Sequence, residues 1–155
     1  MAKILIVDDS KTSRRFLKDM LVSAGHEVVA EALNGQEGID KYFEYMPDLV
    51  TMDITMPGKD GITALTEIIE RDSKARIIMV TAAGQKSNMI EALKRGASDF
   101  IQKPFEANII IDVIKKVVNP KTKAGKAVLP ENNVDVQSPA EAREQKKQEI
   151  LDMMA

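Results

Sequence analysis

The chain contains no cysteine and no tryptophan. Disulfides, zinc–thiolate centres and cysteine nucleophiles are thereby excluded. The single histidine, His26, leaves no His-rich metal site and no Ser-His-Asp triad. It falls in the turn before the second expected strand and reads as a solvated loop residue, not a phosphodonor. Neither sign of charge dominates: 22 Lys and Arg face 24 Asp and Glu, a net charge of −2. DNA and anionic membranes call for a basic stripe that this balance does not provide. Apolar runs are only a handful of residues long, and no signal-peptide pattern opens the chain. The expectation is a soluble, cytoplasmic protein that neither inserts into membranes nor binds DNA.

Aromatic residues are scarce, at 4%, and all of them (Phe16, Tyr42, Phe43, Tyr45, Phe100, Phe105) precede residue 119. Beyond it the prolines Pro120, Pro130 and Pro139 appear among few large apolar residues. This shift divides the chain into a domain over 1–119, a linker over 120–137 and a C-terminal capped helix over 138–155. Ser138-Pro139-Ala140-Glu141 has the capping-box pattern, with proline at the first helical position. Ile150, Leu151, Met153 and Met154 crowd the last turn without forming a stripe. The segment reads either as a frayed tail or as a helix docking on its own domain or on a partner. A length of 155 residues suits one domain with an appendage.

Within 1–119, short apolar runs alternate with amphipathic segments. Strands are expected at Lys3–Val7, Glu27–Glu31, Leu49–Asp53, Arg76–Val80 and Ser98–Gln102. Helices are expected near Thr12–Ala24, Gly35–Tyr45, Ile62–Arg71, Ser87–Arg95 and Glu106–Val118. The continuous runs Ile4–Val7 and Ile77–Val80 suit strands buried on both faces, as parallel sheets require. The fold class is therefore α/β, a doubly wound five-stranded parallel sheet.

Ligands of such sheets bind beyond the carboxyl ends of the strands. Asp8 and Asp9 follow the first strand and Asp53 ends the third. Thr81 follows the fourth, and Lys103-Pro104 follows the fifth. Three carboxylates, a hydroxyl and an ammonium thus share one rim. Two unit charges ~4 Å apart repel by about 4 kcal/mol at an effective dielectric of about 20. Such acids call for a compensating cation, and oxygen ligands that retain water favour Mg²⁺. A carboxylate beside Mg²⁺, with Lys103 and Thr81 aimed at the same space, suits a nucleophile toward a phosphoryl group. The bland alternative, that Asp8 or Asp9 only caps the first helix and Lys103 is a solvated strand end, is competitive for any one residue. It is a poor account of all five together.

Asp8-Asp9, Asp53 with Met56-Pro57 and Asp60-Gly61, Thr81-Ala82 and Lys103-Pro104 together resemble the receiver domain of two-component response regulators. The resemblance spans about residues 2–119, in order and at the expected spacings. It implies the flavodoxin-like (βα)5 fold, whose established strand order is 2-1-3-4-5. It further implies that Asp53 accepts a phosphoryl group from the phosphohistidine of a sensor histidine kinase. Asp9, Asp53 and the backbone carbonyl of Thr55 would then ligate Mg²⁺, with Asp8 acting directly or through water. Thr81 and Lys103 would bind phosphoryl oxygens, with Ala82 and the aromatic Phe100 completing the switch set. Lys103-Pro104 matches the family's cis peptide. Thr55 and Ala83 occupy positions that tune phosphoryl lifetime, and both are small here.

Met52-Asp53-Ile54-Thr55-Met56-Pro57 and Ala82-Ala83-Gly84-Gln85 are similar to the chemotaxis regulators of flagellated bacteria outside the enteric group. That similarity implies a CheA-like sensor kinase, and a flagellar motor switch and phosphatase proteins as further partners. The output face would comprise the fourth helix, fifth strand and fifth helix. The chain is read as a regulatory phosphoacceptor, not an enzyme. A phosphorelay intermediate or a regulator outside chemotaxis remains the rival. A Mg²⁺-dependent phosphatase of the haloacid-dehalogenase kind would place Asp-x-Asp after the first strand, where Asp8-Asp9 are instead adjacent. A phosphorylation-independent scaffold would not require all five rim residues.

Overall fold

A computed structural model describes residues 1–118, 150, 151 and 153. The chain alternates β1 (Lys3–Val7), α1 (Lys11–Ser23), β2 (Glu27–Ala32), α2 (Gly35–Tyr45), β3 (Leu49–Asp53), α3 (Gly61–Arg71), β4 (Ile77–Thr81), α4 (Lys86–Lys94), β5 (Asp99–Gln102) and α5 (Ala107–Val118). All strand pairs are parallel and their order is β2-β1-β3-β4-β5. The topology reverses at β1, next to β3, which is where open sheets of this kind form their crevice.

The strands alternate between two apolar layers, as a period of two requires. Ile4 and Ile6 of β1, Leu49 of β3, Ile78 of β4 and Ile101 of β5 join Leu17 and Leu21 of α1 and Ile110 and Ile114 of α5. Leu5 and Val7, Val50 and Met52, and Ile77 and Met79 face the other way. They pack with Ile39 and Tyr42 of α2, Ala64, Leu65 and Ile68 of α3, and Ala92 and Leu93 of α4. Each such side chain fully buried contributes about 1.5–3 kcal/mol. Because each face of the central strands has a helical layer to meet, β1, β3 and β4 are apolar apart from Lys3, Thr51, Asp53 and Thr81.

Helix starts follow local chemistry. Ser10, Asn34 and Asp60 each place a side-chain oxygen on the amide of the residue three positions on, satisfying a donor that the first turn leaves unpaired. The bland alternative, in which Asp8 or Asp9 only caps α1, fails because the cap is Ser10. Most element bounds lie within a residue of those read from the sequence. One shift matters: Thr81 is the last residue of β4 and does not follow it.

One further expectation changes. His26 is half-buried, and its Nδ1 accepts the Ala2 amide at 3.0 Å. Desolvation, followed by the N-terminal charge, lowers its pKa. Met52, Met56, Met79 and Met89 are buried and Met20 packs on the α1–α5 layer, whereas Met1, Met46 and Met153 are exposed. The linker 120–137 and the cap at Ser138–Glu141 lie outside the described residues. Of the C-terminal segment, Ile150, Leu151 and Met153 are helical. Ile150 is buried and belongs to the apolar layer of α2, α3 and α4. No helix among the described residues is long and apolar enough to cross a membrane.

Candidate functional site

Parallel pairing brings the carboxyl ends of β1, β3, β4 and β5 to one rim. In register, Val7 faces Met52, Asp53 faces Val80, and Thr81 faces Gln102. Asp8 and Asp9 therefore leave β1 beside the end of β3. One carboxylate oxygen from each of Asp8, Asp9 and Asp53 falls within 4.8 Å of the others. Lys103 reaches the same space from β5, its Nζ 3.3 Å from Asp8 Oδ2 and 3.6 Å from Asp53 Oδ2.

Asp8 is buried, and its Oδ1 accepts the Ser10 amide at 2.9 Å. Asp9 is exposed and Asp53 is half-buried. Burial is the largest influence on the Asp53 carboxyl and pushes its pKa up; the Lys103 ammonium opposes this and the Asp8 charge adds to it. The backbone amides of Ile54 and Thr55 bond to the same carboxyl and favour its ionised form. Three acids thus share one ammonium, leaving an excess of negative charge on hard oxygen donors. That donor set fits Mg²⁺, which is held by carboxylates and keeps part of its water shell.

The loop after β3 is shaped by Gly61. A Cβ there would stand 2.0 Å from the Asp53 carbonyl oxygen, and the Gly61 amide bonds the Ile54 carbonyl at 2.9 Å. Glycine is what lets α3 begin against the backbone of the phosphoacceptor candidate. Thr55 lies exposed on this loop. Thr81 is fully buried at the end of β4, and Ala82 after it is exposed. The Lys103–Pro104 peptide is cis. Phe100 is not at the rim: it pairs with Met79 inside the sheet and packs on the α2–α4 layer.

Two residues of this region carried no role in the sequence reading. Arg14 donates Nη1 to the Asp8 carbonyl at 2.8 Å and Nε to Glu31 at 3.1 Å, fixing the β1–α1 turn against β2. Gln85 links the loops after β3 and β4 through bonds to Thr81, Ala82 and Thr55. Each also reaches a residue remote in sequence, Arg14 to Glu31 and Gln85 to Thr55, and those pairings leave no local pattern.

Comparison with known proteins decides the family. The response regulator receiver domain family matches residues 4–115. The chain belongs to that family. This receiver is 56% identical over 117 residues to the chemotaxis protein CheY of Bacillus subtilis (strain 168), covering 76% of this chain and 98% of that protein. It is 50% identical over 115 residues to the CheY of Thermotoga maritima, covering 74% and 96% respectively. Among solved structures, a CheX-CheY-BeF3-Mg²⁺ complex from Borrelia burgdorferi superposes with a TM-score of 0.72 at 38% identity, covering 74% of this chain and 87% of that one. The receiver is thus closely related to the chemotaxis regulators, and its relationship is to two-component response regulation.

Proposed function

We propose that this receiver takes a phosphoryl group on Asp53 from a sensor histidine kinase and thereby switches a binding face in chemotaxis. The observation that carries the reading is the gathering of Asp8, Asp9 and Asp53 at the strand ends, with Lys103 bridging two of them. An Asp53 carboxylate oxygen attacks the phosphorus of the phosphohistidine. The P–O bond forms as the P–N bond breaks, and the N–P electron pair returns to the imidazole. Lys103 meets the charge on the phosphoryl oxygens, and the Thr81 hydroxyl donates a hydrogen bond to one of them.

Asp9, Asp53 and the Thr55 carbonyl would hold Mg²⁺, with Asp8 acting directly or through water. Bound there, the ion supplies further neutralisation of the phosphoryl oxygens. The chain acts as a regulatory phosphoacceptor. Residues 1–119 are the signalling unit, and 120–137 connect it to the segment 138–155.

The output face comprises α4, β5 and α5, where Ala82 and Phe100 link the rim to the partner. A hollow of ≈ 670 Å³ opens there beside Phe100, Pro104, Phe105 and Ile109. Phosphorylation shifts the population of this face toward a partner-binding form. A flagellar motor switch and a phosphatase are the proposed partners. The Borrelia complex, in which a CheY is bound to CheX, supports a CheX-like protein among the partners. Transfer of labelled phosphate from a purified chemotaxis kinase tests the proposal. Label is expected on the wild type with Mg²⁺ and not after chelation. Transfer that is indifferent to chelation would overturn the assigned metal role.

A further inference from the structure

We propose that Gln85 is a positioning residue: a latch that holds the Thr81 hydroxyl in its resting orientation and opposes phosphorylation. The inference rests on the reading of Thr81 as the hydroxyl that must meet the phosphoryl group. Thr81 is fully buried, so its hydroxyl has no bulk water to turn to. It carries one proton, and two acceptors share it: Gln85 Oε1 at 3.0 Å and the Ala82 carbonyl at 3.1 Å. For Thr81 to donate to a phosphoryl oxygen, that proton must leave both.

The Gln85 side chain is held from three directions. Besides the Thr81 hydroxyl, its Oε1 takes the Ala82 amide at 3.3 Å, while its Nε2 donates to Thr55 Oγ1 at 3.3 Å. The carboxamide thus straps the loop after β4 to the loop after β3. Both ends of the strap touch positions beside the phosphoacceptor.

Gln85 also stands at the N-cap of α4, yet it makes no side-chain capping bond there. The caps of α1, α2 and α3 all do. The residue in the capping position of α4 has given its side chain to Thr81 and Thr55. Release of Thr81 therefore frees the group that begins α4, and α4 is part of the proposed output face.

Binding of beryllofluoride with Mg²⁺, followed by ¹⁹F NMR, tests the latch. Beryllofluoride stands in for the phosphoryl group. Removal of one net hydrogen bond from the resting state should tighten binding about fivefold in Gln85→Ala, equivalent to about 1 kcal/mol. Gln85→Asn, too short to reach both partners, and Thr55→Val, which removes only the anchor, should shift binding in the same direction. In a Thr81→Ala background the Gln85→Ala gain should vanish, which a merely structural role would not produce. Unchanged or weaker binding in all three Gln85 and Thr55 variants overturns the latch, as does an equal gain without Thr81. A wild type that binds no beryllofluoride overturns the reading of the site itself, and the latch with it.

Discussion

Asp53 is held in a conflict that its own environment makes visible. Burial disfavours its charge, Asp8 adds repulsion, and Lys103 with two backbone amides compensates only in part, so the carboxyl pKa stands above its ordinary value. A carboxyl raised in the folded state contributes stability below its unfolded pKa, and that contribution is lost as pH rises through the folded value. At neutral pH the ionised Asp53 therefore costs stability. Asp53→Asn is expected to unfold at higher temperature than the wild type near pH 7 without divalent cations. The advantage should shrink as pH falls into the ordinary carboxylate range. Thermal unfolding across pH measures this, and a less stable variant at pH 7 would contradict it. The carboxylates themselves were legible in the sequence, because acids at the ends of apolar runs have nowhere else to go. The bond from Ala2 to His26 was not, since it depends on β1 and β2 lying side by side.

At the scale of elements, β1 and β4 announced themselves because two helical layers favour the unbroken apolar runs Ile4–Val7 and Ile77–Val80. Their ends were less legible: Thr81 is polar, yet it is paired within β4 and buried. Helix ends obey their own chemistry, and α2 shows a residue that fits poorly. Met46 closes α2 at φ +45°, is exposed, and hands its amide to the Tyr42 carbonyl at 2.8 Å. A left-handed residue with a Cβ carries a steric cost that glycine avoids, about 1 kcal/mol. Met46→Gly is therefore expected to raise the free energy of unfolding by about 1 kcal/mol. Denaturant titration would show it, and a loss of stability would mean that Met46 makes a contact worth more than its strain. The Gln85 strap was beyond reach at this scale, because it spans two loops separated by a strand and a helix.

For the whole molecule, the receiver accounts for what its relatives share, and the residues beyond α5 have no counterpart in the B. subtilis match, which spans 98% of that protein. The composition break near residue 119 suggested an appendage beyond the receiver. What it did not show is that Ile150 is buried in the same apolar layer as Ile68 and Leu93. Ile150→Asp is expected to lower the stability of the receiver by about 1–3 kcal/mol, the value of one buried aliphatic side chain. An unchanged denaturation midpoint would show that the layer is complete without it.

The central claim is that Asp53 is the residue that changes covalently, and peptide mass spectrometry tests it most directly. The wild type and Asp53→Asn would be incubated with a small phosphodonor and Mg²⁺, reduced with borohydride, digested and sequenced. An aspartyl phosphate is reduced to homoserine, so a single homoserine at position 53 of the wild type alone is the predicted result. Modification at Asp8 or Asp9 instead, or none in a protein that a competent kinase also leaves untouched, would contradict the account.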